Sequence, residues 1–314
     1  MIRTRNILLS ALIVLSACAG SQKQQPAEFS PYEKAGKHSL DFEGPATDFF
    51  QGALLGNGGL GVVVTTRPDA VVLRFGHNSV WDIRLAENHR EEIGTFNYVF
   101  NKVKNIPDTL SSLEDNPWFE KYARMTPDNY SQPYPRPFPC GSVLLGFDRR
   151  QAEMLGYTLD IANGLCEVKL LTNDKKQLRL QIFTDMQKDS LWMQLVDEAG
   201  NKCPNIFNRI RVIPDPSTPK EFPKYTGTEN LTDGMLAFRQ VLPSQEPGKY
   251  DVNKGAPDDK AFSLTAAVNV PVGKDSAITW FGHKQAMASL EGRLSPAQEF
   301  VACVTLKQGL NTDV

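Results

Sequence analysis

Side chains suited to binding sugars are concentrated in one stretch of the sequence. Aromatic rings stack on the apolar faces of sugar rings, while amide, carboxylate and guanidinium groups form hydrogen bonds with the hydroxyls. The candidate carbohydrate-binding residues are His77, Asn78, Trp81, Asp82, Arg84, Trp118 and Tyr134. Packing of the rings inside the protein explains each of them at least as well. The stretch therefore predicts a glycan or oligosaccharide as partner, with internal packing as the alternative.

Carboxylates offer a second kind of chemistry. Glycosidases use a pair of carboxyl groups on either side of the scissile bond, one as acid and the other as nucleophile or base. Asp82, Glu87 and Asp148 are candidates for such a pair, but the sequence does not give their separation in space. The acidic residues between positions 87 and 92 are explained more simply as the solvated first turn of a helix. An autonomous enzyme built on these carboxylates is the weakest of three hypotheses.

Cofactor and metal chemistry have little support. Residues 56–61 satisfy the pattern G-x-G-x-x-G, but a dinucleotide site needs a helix after the glycines, and the strand-forming residues 62–66 follow instead. The motif therefore predicts a tight turn that enters a strand and approaches another layer of the protein closely. The histidines and cysteines lack metal-ligand spacing, and no G-x-S-x-G motif is present, so we expect no cofactor and no metal.

The elements that must position these residues are mainly strands. Two pairs of alternating or β-branched segments flank turn residues and predict hairpins, at 60–66 with 70–76 and at 165–172 with 177–185. Further strands are predicted at 190–196, 235–240, 262–270 and 277–282. Many strands joined by turns predict a mostly β fold, a large antiparallel β-sandwich (super-sandwich).

One insertion breaks this pattern near residues 82–139, and we call it the excursion. Ile93, Phe96, Phe100 and Val103 recur at helical spacing and predict an amphipathic helix between positions 87 and 107. A second helix is predicted around 118–125. Four prolines within 129–139 predict an ordered loop without regular structure. Long insertions of this kind are commonly functional.

The N-terminus is predicted to be an export signal. Two arginines precede an apolar run at 7–15, which is too short to span a bilayer. The following Leu-Ser-Ala-Cys sequence is typical of a bacterial lipobox and predicts lipidation of Cys18. An ordinary export signal cleaved near this cysteine is the alternative. We expect an exported protein that contacts the membrane only through its lipid anchor, in the cell envelope, with the periplasmic side of the outer membrane favoured.

These features predict three segments: a lipoprotein signal peptide at 1–17, a flexible tether at 18–37 and the sandwich domain with its excursion at 38–314. Charge is balanced, with 34 basic and 36 acidic residues and a net charge of -2, so we expect no nucleic-acid partner. Four cysteines remain, and they are scattered in the sequence: Cys140, Cys166, Cys203 and Cys303. We expect them to be small buried side chains, and the sequence does not decide whether any two form a disulfide.

Residues 55–62 (LGNGGLGV) resemble the opening of glycoside hydrolase family 95, the α-L-fucosidase and α-L-galactosidase group. Three further segments follow in the family's order: the Trp-containing segment 75–81, the entry at 134–141 into the strand 142–147, and the segment 157–162. Two features of the family are not matched. The Trp-containing segment lacks the family's Asn-Glu pair, and the segment 157–162 lacks the Arg of the family's Tyr-x-Arg-x-Leu-Asp-Leu sequence. The resemblance covers roughly residues 49–196.

The resemblance implies a β-sandwich that precedes a helical linker and an (α/α)6 barrel with the catalytic carboxylates. We expect that barrel to be absent from this chain, so its catalytic residues have no counterpart here. Our first hypothesis is a non-catalytic sandwich portion, inactive alone, that contributes the excursion to a sugar pocket. A longer or adjacent reading frame would supply the helical catalytic domain. The alternative is a free-standing carbohydrate-binding lipoprotein.

Overall fold

Two large antiparallel sheets form the body of the protein in a computed structural model. The structure describes residues 30–84, 88–130, 134–215, 226–230, 234–242, 261–274, 290–296 and 299–309. Strands are numbered β1 to β18 and helices α1 to α4 in chain order. The predicted mostly β sandwich is confirmed.

The first sheet has nine strands. Across the sheet their order is β1 (Leu40–Glu43), β8 (Ala152–Asp160), β9 (Leu165–Thr172), β10 (Gln177–Thr184), β11 (Ser190–Asp197), β18 (Val301–Gln308), β15 (Ala261–Val268), β14 (Met235–Val241) and β13 (Thr226–Asn230). Every pairing is antiparallel. The predicted hairpin at 165–185 is the β9–β10 pair.

The second sheet has seven strands. Their order is β16 (Val272–Lys274), β17 (Leu290–Leu294), β12 (Phe207–Ile213), β7 (Ser142–Phe147), β4 (Ala70–His77), β3 (Leu60–Arg67) and β2 (Ala53–Gly56). The predicted hairpin at 60–76 is the β3–β4 pair, with Arg67 opposite Ala70 across the turn. The strand predicted at 277–282 lies outside the described residues.

The core fills the space between the two sheets. Alternate residues of each strand point inward, as in β4, where Val71, Leu73 and Phe75 are buried. Phe207 of the seven-stranded sheet packs on Phe300, with ring centroids 5.0 Å apart. Burial of such side chains on both inner faces is what holds the sheets together.

The excursion begins and ends at a short two-stranded ladder, β5 (Trp81–Asp82) with β6 (Arg136–Pro137). The prediction that residues 129–139 lack regular structure is therefore wrong at Arg136–Pro137, and also at 129–130, which are the end of a helix. Phe138 extends the contact because its backbone N–H donates to the carbonyl of Val80 at 2.9 Å. Proline has no N–H to donate, which limits the ladder to two residues.

The helix predicted between positions 87 and 107 is two helices, α2 (Arg90–Ile93) and α3 (Phe96–Lys104). Gly94 separates them with a φ of 72°, which ends the first helix, and Thr95 caps the second. The predicted apolar stripe exists, but Phe96 is 85% exposed and none of the residues of α3 is buried. The second predicted helix is longer than expected and forms α4 (Pro117–Tyr130).

Part of the predicted flexible tether has regular structure. Residues Pro31–Gly36 form helix α1, because Ser30 caps the helix and Pro31 suits its first turn. The signal peptide, Cys18 and most of the tether lie outside the described residues. No helix among the described residues is long and apolar enough to cross a membrane.

The four cysteines of the sandwich have free thiols. Cys140, Cys166 and Cys203 are buried and Cys303 is half-buried, as expected for small apolar side chains. Burial raises the pKa of the Cys140 and Cys166 thiols to about 12, since the thiolate is poorly solvated there. These thiols are therefore structural.

Candidate functional site

The glycine-rich turn between β2 and β3 connects the two sheets. Asn57 organises the turn, because its side-chain oxygen accepts from the backbone N–H groups of Gly59 at 3.0 Å and Leu60 at 2.8 Å. Its amide nitrogen donates to the carbonyls of Asp185 and Lys188, both at 3.0 Å, in the turn between β10 and β11. A strand follows the turn, in agreement with the predicted structural role of the motif.

His77 ends strand β4 beside this turn. Its Nε2 lies 3.2 Å from a carboxylate oxygen of Asp189, and its Nδ1 lies 3.1 Å from the backbone N–H of Ser79. The side-chain amide of Gln308 also contacts the ring, 2.5 Å from Nδ1 and 2.9 Å from Nε2. The His77 side chain is only 5% exposed. Gly59 packs closely against this pair, since a Cβ there would lie 3.1 Å from His77 Nε2 and 3.0 Å from an oxygen of Asp189.

Asn78 and Trp81 fix the start of the excursion. The Asn78 amide donates to the carbonyl of Gly58 at 2.8 Å. The Trp81 indole N–H donates to the carbonyl of Asn78 at 2.6 Å, yet 41% of Trp81 is exposed. The indole N–H of Trp81 is therefore satisfied within the protein, while part of its ring is accessible for stacking.

Asp82 and Arg84 form a buried ion pair. The carboxylate of Asp82 is completely buried, and Arg84 donates to it from Nη2 at 2.8 Å and from Nε at 3.0 Å. The backbone N–H of Arg84 adds a third hydrogen bond at 3.1 Å. This geometry commits Asp82 to holding the base of the excursion, so it does not act as a free carboxylate.

Trp118 packs inside the excursion, whereas Tyr134 lies near the ladder that contains Trp81 and Asp82. Trp118 stacks on Tyr122 with ring centroids 5.4 Å apart and meets Tyr98 edge-on at 6.3 Å. These contacts join α3 to α4, which is the internal packing considered as the alternative explanation. The guanidinium of Arg136 lies 5.2 Å from the centre of the Tyr134 ring, near the ladder.

A cavity of about 670 Å³ adjoins His77 on the seven-stranded sheet. Its walls are mostly apolar and include Phe49, Leu54 and Pro137. Arg74 supplies positive charge, and its guanidinium donates to the hydroxyl of Thr65. Partial burial lowers the pKa of Arg74 from its usual value, although the charge of Asp215 acts in the opposite direction.

Asp82 and Asp148, the two catalytic candidates among the described residues, are each paired with an arginine. Asp148 is held by Arg150, whose hydrogen bonds lower the pKa of Asp148 to about 2. A general acid needs a raised pKa, so Asp148 has the opposite property. Asp82 is paired with Arg84, and Glu87 lies outside the described residues. In the described parts of the chain, no group of acidic, histidine or cysteine side chains could hold a metal ion.

A histidine-centred network joins α2 to α4. His89 contacts Asp128 at 3.0 Å through Nε2 and Glu92 at 3.4 Å through Nδ1, and Lys121 pairs with Glu92 at 2.5 Å. The hydrogen bond to Asp128, followed by that to Glu92, raises the pKa of His89 above its usual value. The network therefore favours charged His89.

We expect this network to weaken as the pH rises. A pKa that is raised in the folded state adds stability below about 6.5, the usual histidine value, and this stability is lost as the pH passes the folded pKa. An NMR titration should place the pKa of His89 above 6.5, and Asp128→Asn should lower it more than Glu92→Gln. His89→Gln identifies the resonance. A wild-type pKa at or below 6.5 would contradict the network.

Asp189 and Gln308 are site residues that the sequence analysis missed. They contact His77 although they lie 112 and 231 positions away in the chain. No local pattern marks either residue, because the turn before β11 and the end of β18 meet the end of β4 only in the folded sandwich. The glycine-rich motif predicted a turn that approaches another layer, but it did not show that Asn57 makes the contact or that the β10–β11 turn receives it.

Comparison with known proteins gives one informative result. Residues 40–212 match the family model described as "Glycosyl hydrolase family 65, N-terminal domain", which covers more than half of the 314 residues. No curated protein matches the chain. The matched region contains Asn57 and the β10–β11 turn that Asn57 contacts. It also contains the excursion and most of the strands around His77.

Proposed function

Because the chain belongs to the family of glycosyl hydrolase family 65 N-terminal domains, we propose that it is the sandwich portion of a family-95-like glycoside hydrolase that borders a sugar pocket with its excursion. The family assignment makes residues 40–212 a glycosidase-related, non-catalytic β-sandwich domain. The resemblance of residues 55–62 supports the narrower family-95 specificity. A helical catalytic domain, from a longer or adjacent reading frame, would supply the catalytic carboxylates.

The partly exposed ring of Trp81 carries the proposal of a sugar pocket. Trp81 stands at the base of the excursion, held by its hydrogen bond to Asn78, and the adjacent Pro137 lines the cavity beside His77. A rigid ring beside a cavity is suited to stacking on a sugar without a large loss of conformational entropy. The buried ion pair of Asp82 with Arg84 supports this placement of the ring.

The proposal predicts that Trp81→Ala weakens glycan binding by at least about tenfold, which corresponds to about 1.4 kcal/mol. The purified chain is screened on an array of plant and mucin glycans, and the best ligand is titrated against both proteins. Tyr32→Ala is the matched control, since Tyr32 is 69% exposed but lies in helix α1. No bound glycan, or equal affinity of the Trp81→Ala protein, contradicts the pocket. Hydrolysis of an aryl fucoside or galactoside by this chain alone contradicts the non-catalytic assignment.

We also propose that the protein is exported and anchored in the cell envelope through Cys18, on the periplasmic side of the outer membrane. The lipobox-like residues 15–18 support this proposal. Metabolic labelling with a fatty acid should mark the wild-type protein and not Cys18→Ser. Labelling of both proteins would contradict it.

A further inference from the structure

The outer face of the nine-stranded sheet carries two parallel rows of side chains. Leu165, Phe183, Trp192 and Cys303 are direct neighbours on successive strands β9, β10, β11 and β18, and we call them the aromatic row. Glu167, Gln181 and Gln194 lie two residues along the same strands, and we call them the amide row. Because side chains alternate between faces, both rows point away from the core.

The two large rings of the aromatic row are incompletely covered by the protein. Phe183 and Trp192 are cross-strand partners, and each is 40% exposed. Neighbouring strands are roughly 4.8 Å apart, so the rings form a platform whose repeat is comparable to one sugar residue. An exposed ring pair on the outer face of the sheet provides apolar area on which a ligand can stack.

The amide row is held rigid by its own hydrogen bonds. Gln194 Nε2 donates to Gln181 Oε1 at 2.8 Å, and Gln181 Nε2 donates to Glu167 Oε1 at 2.9 Å. The chain of bonds ends on Arg179, whose Nη1 lies 3.1 Å from Glu167 Oε1. Each amide nitrogen has a second N–H, and the oxygen of Gln194 can accept further hydrogen bonds. The row therefore offers fixed donors and acceptors with little net charge.

We propose that this face binds an extended, uncharged oligosaccharide. Sugar rings would stack on Trp192 and Phe183, while their hydroxyls bond to Gln194 and Gln181. Stacking area beside fixed, neutral hydrogen-bonding groups matches a polyhydroxylated ring, which has apolar faces and a polar edge. The pairing of Glu167 with Arg179 leaves the row without a charge to attract an anionic glycan.

The aromatic row borders a cleft, because Leu165 and Phe183 both line it. The cleft has a volume of about 670 Å³ and is also lined by Leu54 of β2 and Met186 of the β10–β11 turn. A ligand that crosses Trp192 and Phe183 in the direction of the row would reach this cleft. The arrangement favours a chain of several sugars over a single sugar.

The stacking rings of this site are separate from Trp81, although Leu54 lines both the cleft and the cavity beside His77. Trp192 lies on the outer face of the nine-stranded sheet, whereas Trp81 lies in the ladder at the base of the excursion. The inference rests on the proposed carbohydrate-related function, because family membership is what makes a glycan the expected ligand. A protein partner fits the face less well, since half of it is an ordered polar row.

The test titrates the full chain with cellohexaose, xylohexaose and mannohexaose by calorimetry, with an oligogalacturonate as the anionic probe. At least one neutral hexaose should bind, and Trp192→Ala and Phe183→Ala should each weaken it at least about tenfold. Trp192→Tyr should retain binding within about threefold, because it keeps a stacking ring. Gln194→Ala should weaken binding, while Tyr32→Ala, which removes an exposed ring in helix α1, should leave it unchanged. Thermal unfolding checks that each variant is folded.

The outcomes separate this inference from the proposed function. Binding that is lost in Trp81→Ala and kept in Trp192→Ala overturns the inference and leaves the pocket at the excursion. Binding that neither tryptophan variant weakens overturns both sites. The absence of hexaose binding, or preference for the anionic probe, overturns the inference. Self-association that Trp192→Ala abolishes, without hexaose binding, identifies the face as a protein interface instead.

Discussion

Arg84→Met is expected to lower the free energy of unfolding by about 3–5 kcal/mol, the usual effect of removing one partner from a buried ion pair. Asp82 is completely buried, and the guanidinium of Arg84 contacts both of its oxygens. Without Arg84 the Asp82 carboxylate keeps only the backbone N–H of residue 84 among these bonds. Urea unfolding followed by circular dichroism measures the change, and proteolysis shows whether the excursion loosens first.

Two controls make this result specific. Asp82→Asn in the Arg84→Met protein removes the charge that was left without a partner and should recover part of the lost stability. Arg150→Met removes the partner of Asp148 in an exposed pair, where Arg150 is 89% exposed, and should leave the unfolding midpoint unchanged. Equal effects of Arg84→Met and Arg150→Met would show that the Asp82 pair does not hold the excursion.

Asn57→Ala is expected to lower the free energy of unfolding by about 2–4 kcal/mol. Asn57 makes two hydrogen bonds inside the glycine-rich turn and two to carbonyls of the β10–β11 turn. Each such bond contributes about 0.5–1.5 kcal/mol. Urea unfolding measures the loss, and hydrogen exchange should become faster at residues 185–189, where the second sheet loses its anchor.

Asn78→Ala is the matched control for Asn57→Ala. Its amide also bonds to the glycine-rich turn, but it donates to a single carbonyl, that of Gly58. Asn78→Ala should therefore cost about 1 kcal/mol or less. If the two variants lose the same stability, or if exchange at 185–189 does not change, the turn is not a connection between the sheets and the structural role of the motif is wrong.

The fold class was predictable because it depends on local patterns. Alternation in β10 and the turn residues between β3 and β4 carry the strand assignments without any knowledge of distant contacts. The helix assignment in the excursion was only partly correct. Gly94 favours a positive φ that interrupts the helix, and the sequence showed the glycine but not whether tertiary contacts would override it. Phe96 and Phe100 have helical spacing, and spacing alone does not say whether a partner covers them.

The candidate site was likewise only partly predictable from the sequence. His77, Asn78, Trp81, Asp82 and Arg84 are neighbours in the sequence, so their grouping could be predicted. Their roles could not, since the sequence does not say that Asp82 is buried against Arg84 or that the amide of Asn78 is occupied by the turn. Trp118 belonged to the same excursion but packs on Tyr122. The exposed pair of Phe183 and Trp192 was missed, because cross-strand register decides which rings are adjacent.

By itself the sequence determined the strands, the hairpins, the excursion and the kinds of side chain it carries, because periodicity and turn chemistry act over a few residues. Only the tertiary structure decided which groups meet. It brought Asp189 to His77 from 112 positions away, and it placed Asn57 against the opposite sheet. It also left the faces of Trp81 and Trp192 accessible. Such contacts arise from the stacking of two sheets that bury a common core, and that arrangement depends on the whole chain rather than on any one segment.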